Sequence, residues 1–104
     1  MMILEVTHVT YLDGYKLKLV FNHTIERLVD LVHELDGEIF EPLHDMDYFR
    51  SFFIDCGTIS WKNGADIAPE YLFFISQRVG ENISDDEEEM EDKVSRLYSL
   101  ENVG

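Results

Sequence analysis

The stretch Asp13-Gly14-Tyr15-Lys16-Leu17-Lys18-Leu19-Val20-Phe21 decides the fold class. Asp-Gly is a strong hairpin signal, because both residue types tolerate the positive φ of a tight turn. After it, Tyr15, Leu17, Leu19 and Phe21 fall on one side of an extended chain, and Lys16 and Lys18 on the other. That pattern is a strand with one face buried and one face solvated. Before the turn, residues 3–11 alternate loosely and are rich in β-branched side chains. The two runs predict an antiparallel strand pair.

Working toward the C-terminus, residues 24–36 admit two readings. Ile25, Leu28, Val29, Val32 and Leu35 fit a helical stripe, with Thr24 as N-cap and Gly37 as stop. They also fit a third strand over 24–29 followed by a short helix capped by Asp30. Residues 38–43 read as an irregular link anchored by Phe40 and Leu43. Asp45 can cap a short helix over 46–50. Phe52 to Ile54, the turn Asp55-Cys56-Gly57 and Thr58 to Trp61 read as a second hairpin. Pro69 suits the first turn of a helix, where its missing N–H costs nothing. The spacing predicts that helix to about Arg78, with Gly80 ending it.

Charge divides the chain in two. It has 104 residues and a formal net charge of −14. Residues 81–104 carry nine acids and two bases, so this short tail holds half of the excess charge. Within it, Ser84 is a good N-cap, and Asp85, Asp86, Glu87 and Glu88 lie where a helix dipole favours negative charge. Met90, Val94, Leu97 and Tyr98 then follow as one apolar stripe. The acidic block repels itself and the stripe is narrow. A helix of this length is marginal alone in water. It therefore needs a surface: the body, a second copy, or another protein. The domain organisation expected is a body over 1–80 and an acidic helical tail over 81–104.

The run Gly57-Thr58-Ile59-Ser60-Trp61-Lys62-Asn63-Gly64-Ala65-Asp66-Ile67-Ala68-Pro69-Glu70 resembles the bacterial family called domain of unknown function 2442. So do Asp13-Gly14-Tyr15, Asp30-Leu31, and Ile39-Phe40-Glu41-Pro42-Leu43-His44-Asp45 leading to Phe49. The resemblance implies an α+β domain with a central antiparallel sheet, in which residues 24–29 form a strand running into Asp30-Leu31. It also implies a binding role. The family is often encoded beside a small partner gene and has been read as the antitoxin half of a toxin–antitoxin pair. Two features depart from the family pattern: Cys56, where a smaller turn residue is usual, and the acidic tail. The fold expected is thus α+β, a small antiparallel sheet of about five strands with short helices and an acidic C-terminal amphipathic helix.

Candidate sites follow from these patterns. Trp61, Asn63 and Asp66 form the best local motif, with Trp61 as an anchor and two polar contacts beside it. Turn chemistry explains the same residues without a ligand: Asn63-Gly64 supports positive φ, Asp66 ties down loop N–H groups, and Trp61 fills the core. In the tail, Met90, Val94, Leu97 and Tyr98 would supply apolar burial, while Asp85 to Glu88 would steer a basic partner. His8, His23, His33 and His44 lack metal-ligand spacing, with His33 expected in a short helix. Cys56 has no base placed by a motif. No catalytic residues, cofactor or metal are expected.

The expected function is a non-catalytic binding module, an antitoxin-like protein that neutralises a small basic partner protein. The alternative is a homodimeric structural or regulatory protein. Direct nucleic-acid binding by the isolated chain is not expected, because Lys16, Lys18, Arg27, Arg50, Lys62 and Arg78 are few and scattered along the body. A single cysteine and an N-terminus without a basic–apolar leader fit the cytoplasm. No apolar run is long enough to span a bilayer, so no membrane partner is expected.

Overall fold

The computed structural model describes residues 3–99. The four residues at the tail's C-terminal end after Leu100, including the acidic Glu101, lie with Leu100 outside the described residues. Three strands open the fold: β1 (Val6–Asp13), β2 (Lys16–Phe21) and β3 (Ile25–Asp30). A 3-10 helix (Glu38–His44) and a single helical turn, α1 (Met46–Phe49), follow. Next come the hairpin β4 (Phe53–Asp55) and β5 (Thr58–Ser60), then α2 (Pro69–Ile75). A two-residue strand, β6 (Gln77–Arg78), leads to α3 (Asp85–Ser99).

The strands form two antiparallel sheets, one of four strands in the order β1-β2-β3-β6 and one of two, β4-β5. The α+β class is therefore as expected, with six strands among the described residues where about five are expected. The extra strand is β6. The sequence spacing predicts α2 to run to Arg78, but it stops at Ile75. Ser76 ends it by hydrogen-bonding back to Phe73 O through both its backbone N–H, at 3.2 Å, and its hydroxyl, at 2.6 Å. Gln77 and Arg78 then pair with Leu28 and Arg27 of β3.

The reading of 24–29 as a strand is the one adopted by the chain. Leu17 pairs Val29, Leu19 pairs Arg27 and Phe21 pairs Ile25, so the inward faces of β2 and β3 coincide. β1 begins at Val6, three residues later than the sequence pattern suggests, and runs on to Asp13. Glu38–His44 is a 3-10 helix where an irregular link is expected, with Leu43 buried as its anchor. His33 lies in a turn, not a helix. Asp45 caps α1 as expected, its side chain accepting from Asp47 N at 3.0 Å.

The core fills one side of the larger sheet. Leu17, Leu19, Phe21, Ile25 and Val29 from the sheet meet Leu31, Leu43, Phe49, Ile59, Trp61, Leu72 and Phe73 from the other elements. Such burial is roughly 1.5–3 kcal/mol for each large apolar side chain. Met90 and Val94 of α3 belong to the same cluster, so the tail helix finds its surface on the body. The opposite face of the sheet carries His8, Thr10, Lys16, Lys18, Glu26 and Leu28, the solvated half of the alternation.

Candidate functional site: the junction between α3 and the body

At the inward positions of β3 stand Ile25, Arg27 and Val29. A charged side chain in the middle of that row demands partners, because an unpaired buried charge is strongly unfavourable. Arg27 is 4% exposed and has several. Its Nε donates to Ser76 Oγ at 2.8 Å and its Nη2 to Ser76 O at 3.0 Å. The guanidinium lies 4.4 Å above the centre of the Phe73 ring, a favourable cation–π placement. Its Nη1 donates to Glu87 Oε2 at 2.9 Å and to Glu91 Oε2 at 2.7 Å.

Glu91 is shared. Arg78 Nε donates to Glu91 Oε2 at 2.9 Å and Arg78 Nη2 to Glu91 Oε1 at 2.6 Å. These bonds from Arg78 hold the Glu91 carboxyl down at about 2, with Arg27 acting in the same direction and burial opposing both. Two bonds from one guanidinium to one carboxylate are the strong form of this contact.

α3 supplies the acids because of its phase. Ser84 caps it, its hydroxyl accepting from Glu87 N at 3.1 Å. Glu87 and Glu91 are one turn apart, and Met90 and Val94 share their side of the helix. One face thus presents two carboxylates and two apolar side chains to the body. Tyr98 extends this face by packing on Tyr71 and stacking on Phe74 with ring centres 4.6 Å apart. Tyr71 in turn donates its hydroxyl to Glu34, and that bond with burial pushes its pKa up to about 12.

The structure redistributes the candidates read from the sequence. Met90 and Val94 are buried against the body and are not open to a partner. Glu87 is buried too, because it neutralises Arg27. Leu97 remains 47% exposed, and Asp85, Asp86 and Glu88 face solvent together with Glu89 and Asp92. Trp61 is 1% exposed, and its Nε1 donates to Phe49 O at 2.8 Å. Asn63 ties its own loop, with Oδ1 accepting from Ala65 N at 3.2 Å and Nδ2 donating to Ile39 O at 2.8 Å. Asp66 is exposed and its backbone bridges to Ser60. The Trp61 segment and the tail stripe therefore do not converge on one surface as a shared anchor.

Sequence reasoning missed Arg27, Arg78, Ser76 and Glu91. The signal for Arg27 was available: once residues 25–29 are a strand, its period of two places Arg27 inside. Of the six body cations, two that are far apart in sequence, Arg27 and Arg78, are brought together by the β3–β6 pairing. Among the described residues no group of His, Cys, Asp or Glu is arranged to hold a metal ion, and no helix is long and apolar enough to cross a membrane.

The fold and this junction define a small α+β domain with an acidic helix folded back onto it. Residues 6–77 match the family described as Protein of unknown function (DUF2442), and the chain belongs to that family. No curated protein and no solved structure matches the chain.

Proposed function

We propose that this protein is a non-catalytic binding module of the cytoplasm, the antitoxin-like half of a bacterial toxin–antitoxin pair that neutralises a small basic partner protein. The observation that carries the reading is the ridge of α3. Asp85, Asp86, Glu88, Glu89 and Asp92 face solvent from a helix fixed to the body by its other side. A helix already ordered presents these charges without a further ordering cost on binding. Clustered charge of one sign also accelerates encounter with a partner of the other sign. Of the apolar residues read from the sequence, Met90 and Val94 are buried and Tyr98 packs on Tyr71 and Phe74, so Leu97 is the one left to supply apolar contact.

The test uses the full chain and a variant with Asp85→Asn, Glu88→Gln, Glu89→Gln and Asp92→Asn, which spares the carboxylates that hold Arg27. Each is immobilised and challenged with the product of any small gene that adjoins its own. Retention of that product by the native chain at low salt, and its loss in the variant, supports the reading. No retention by the native chain defeats it. Equal retention by both moves the interface off the ridge.

A second reading, a homodimeric regulatory protein, is favoured by β4. Phe53 is 45% exposed and Ile54 41% exposed on that short strand. Exposed apolar strands invite pairing with another chain. Light scattering that gives the mass of a monomer across the micromolar range would exclude it.

A further inference from the structure

Arg27 and Arg78 are directly opposite each other on antiparallel neighbours. Like charges so placed repel, and the body alone leaves that repulsion uncancelled. What cancels it is Glu91, whose single carboxylate reaches both guanidinium groups. The receiving side is built without α3. Ser76 takes two of the Arg27 donors, and Phe73 supports the guanidinium plane from beneath. Arg27, Phe73 and Ser76 lie within the matched residues 6–77, and Arg78 is the next residue. Glu87 and Glu91 lie well beyond that boundary. The junction thus has a cationic half in the body and an acidic half on an appended helix.

We propose that Arg27 and Arg78 form a carboxylate-binding site of the body which α3 occupies in cis. An acidic amphipathic helix of another protein takes the same site in trans when it displaces α3. The ligand class is set by the present occupant: two carboxylates one turn apart, with apolar side chains like Met90 and Val94 on the same face. Residues 79–84 join α3 to β6, are exposed except at Ile83, and tether the occupant closely. A short tether gives an effective concentration on the order of millimolar, so the resting protein is self-occluded against weaker ligands. This inference is independent of the function proposed above, which concerns the outward acids of α3.

The probe is a fluorescently labelled peptide with the sequence of residues 82–99, titrated into full-length chains and followed by anisotropy. Three chains are compared: native, Glu91→Gln, and Glu91→Gln combined with Arg78→Gln. The Glu91→Gln chain, whose own helix is loosened, is expected to bind the peptide about tenfold or more tightly than the native chain. Adding Arg78→Gln should remove most of that gain. Equal binding to all three chains, or none to a folded Glu91→Gln chain, overturns the proposal. Should Glu91→Gln not fold, amide hydrogen exchange on the native chain decides. Excess peptide should speed exchange in α3 and leave β1, β2 and β3 unchanged. Unaltered exchange in α3 at millimolar peptide would sink the idea.

Discussion

Arg27 of β3 and Arg78 of β6 stand opposite each other, and Glu91 of α3 is hydrogen-bonded to both. The relationship makes a helix from the end of the chain a structural partner of its third strand.

Removing Arg27 should be severe. Arg27→Ala leaves Glu87 buried without its ion-pair partner, and breaking a buried pair in this way costs about 3–5 kcal/mol. Replacing both members by apolar residues of similar size, Arg27→Met with Glu87→Leu, should recover most of the loss. Urea unfolding of the two variants checks the contrast. A double variant as unstable as the single one would show that the guanidinium matters through Ser76 and Phe73 instead.

Acid should weaken the protein through Glu91. Its folded pKa of about 2 is depressed from an ordinary value of 4.5. A depressed carboxyl contributes stability that is fully present above its unfolded pKa and lost as pH falls toward the folded one. The window is therefore pH 4.5 down to about 2, and the loss, reduced by solvent screening at the exposed Arg78 side, is on the order of 1 kcal/mol. Unfolding free energies measured across that window should fall for the native chain and change less for Glu91→Gln.

Two turns carry side chains where glycine would be easier. Cys56 has φ 51 and His23 has φ 67, both left-handed. Cys56 and Gly57 are the two loop residues between β4 and β5, the geometry that favours Asn-Gly. Cys56→Asn and His23→Gly are each expected to stabilise by about 1 kcal/mol. Gly57→Ala should do the reverse, since its φ is 76 and an added Cβ would sit 3.1 Å from Glu5 Cγ. Shifts in thermal midpoint read all three.

Trp61 should behave as a core residue. Trp61→Phe removes the donor to Phe49 O and leaves volume beside the Phe49 ring. A loss of about 2 kcal/mol is expected, with retention of a basic partner by the folded fraction unchanged. A drop in retention at full folding would return Trp61 to the interface.

Ser84 is the test of α3 itself. Ser84→Ala removes the acceptor for Glu87 N, and lost N-caps cost about 1 kcal/mol. Amide exchange in residues 85–99 should quicken more than exchange in β2. Equal acceleration everywhere would mean that helix and body unfold as one unit.

Much of this architecture was legible from local patterns. The alternation over 15–21 placed Leu17, Leu19 and Phe21 inside, and Asp13-Gly14 marked the first hairpin, although Asp13 ends up paired with Lys16 and the two loop residues are Gly14 and Tyr15. Turn chemistry explained the Asn63 loop. Two things were hidden because they depend on tertiary pairing. Helix propensity through Phe73-Phe74-Ile75 gives no hint that Ser76 stops α2, since Gln77 and Arg78 find β3 only in the folded chain. The acidic block of the tail hides the difference between Glu87 and Glu88. Only the docked phase of α3 turns one toward Arg27 and the other toward water.

Trp61 is the single tryptophan and lies in the body, whereas α3 is the longest helix among the described residues, 15 residues against seven in α2 and four in α1. Indole emission therefore follows the body, and far-ultraviolet ellipticity follows mainly α3. The two spectroscopic signals lose their common midpoint whenever the helix lifts before the body melts. Departure of the strap from its seat can thus be watched in the unmodified protein, without any introduced dye.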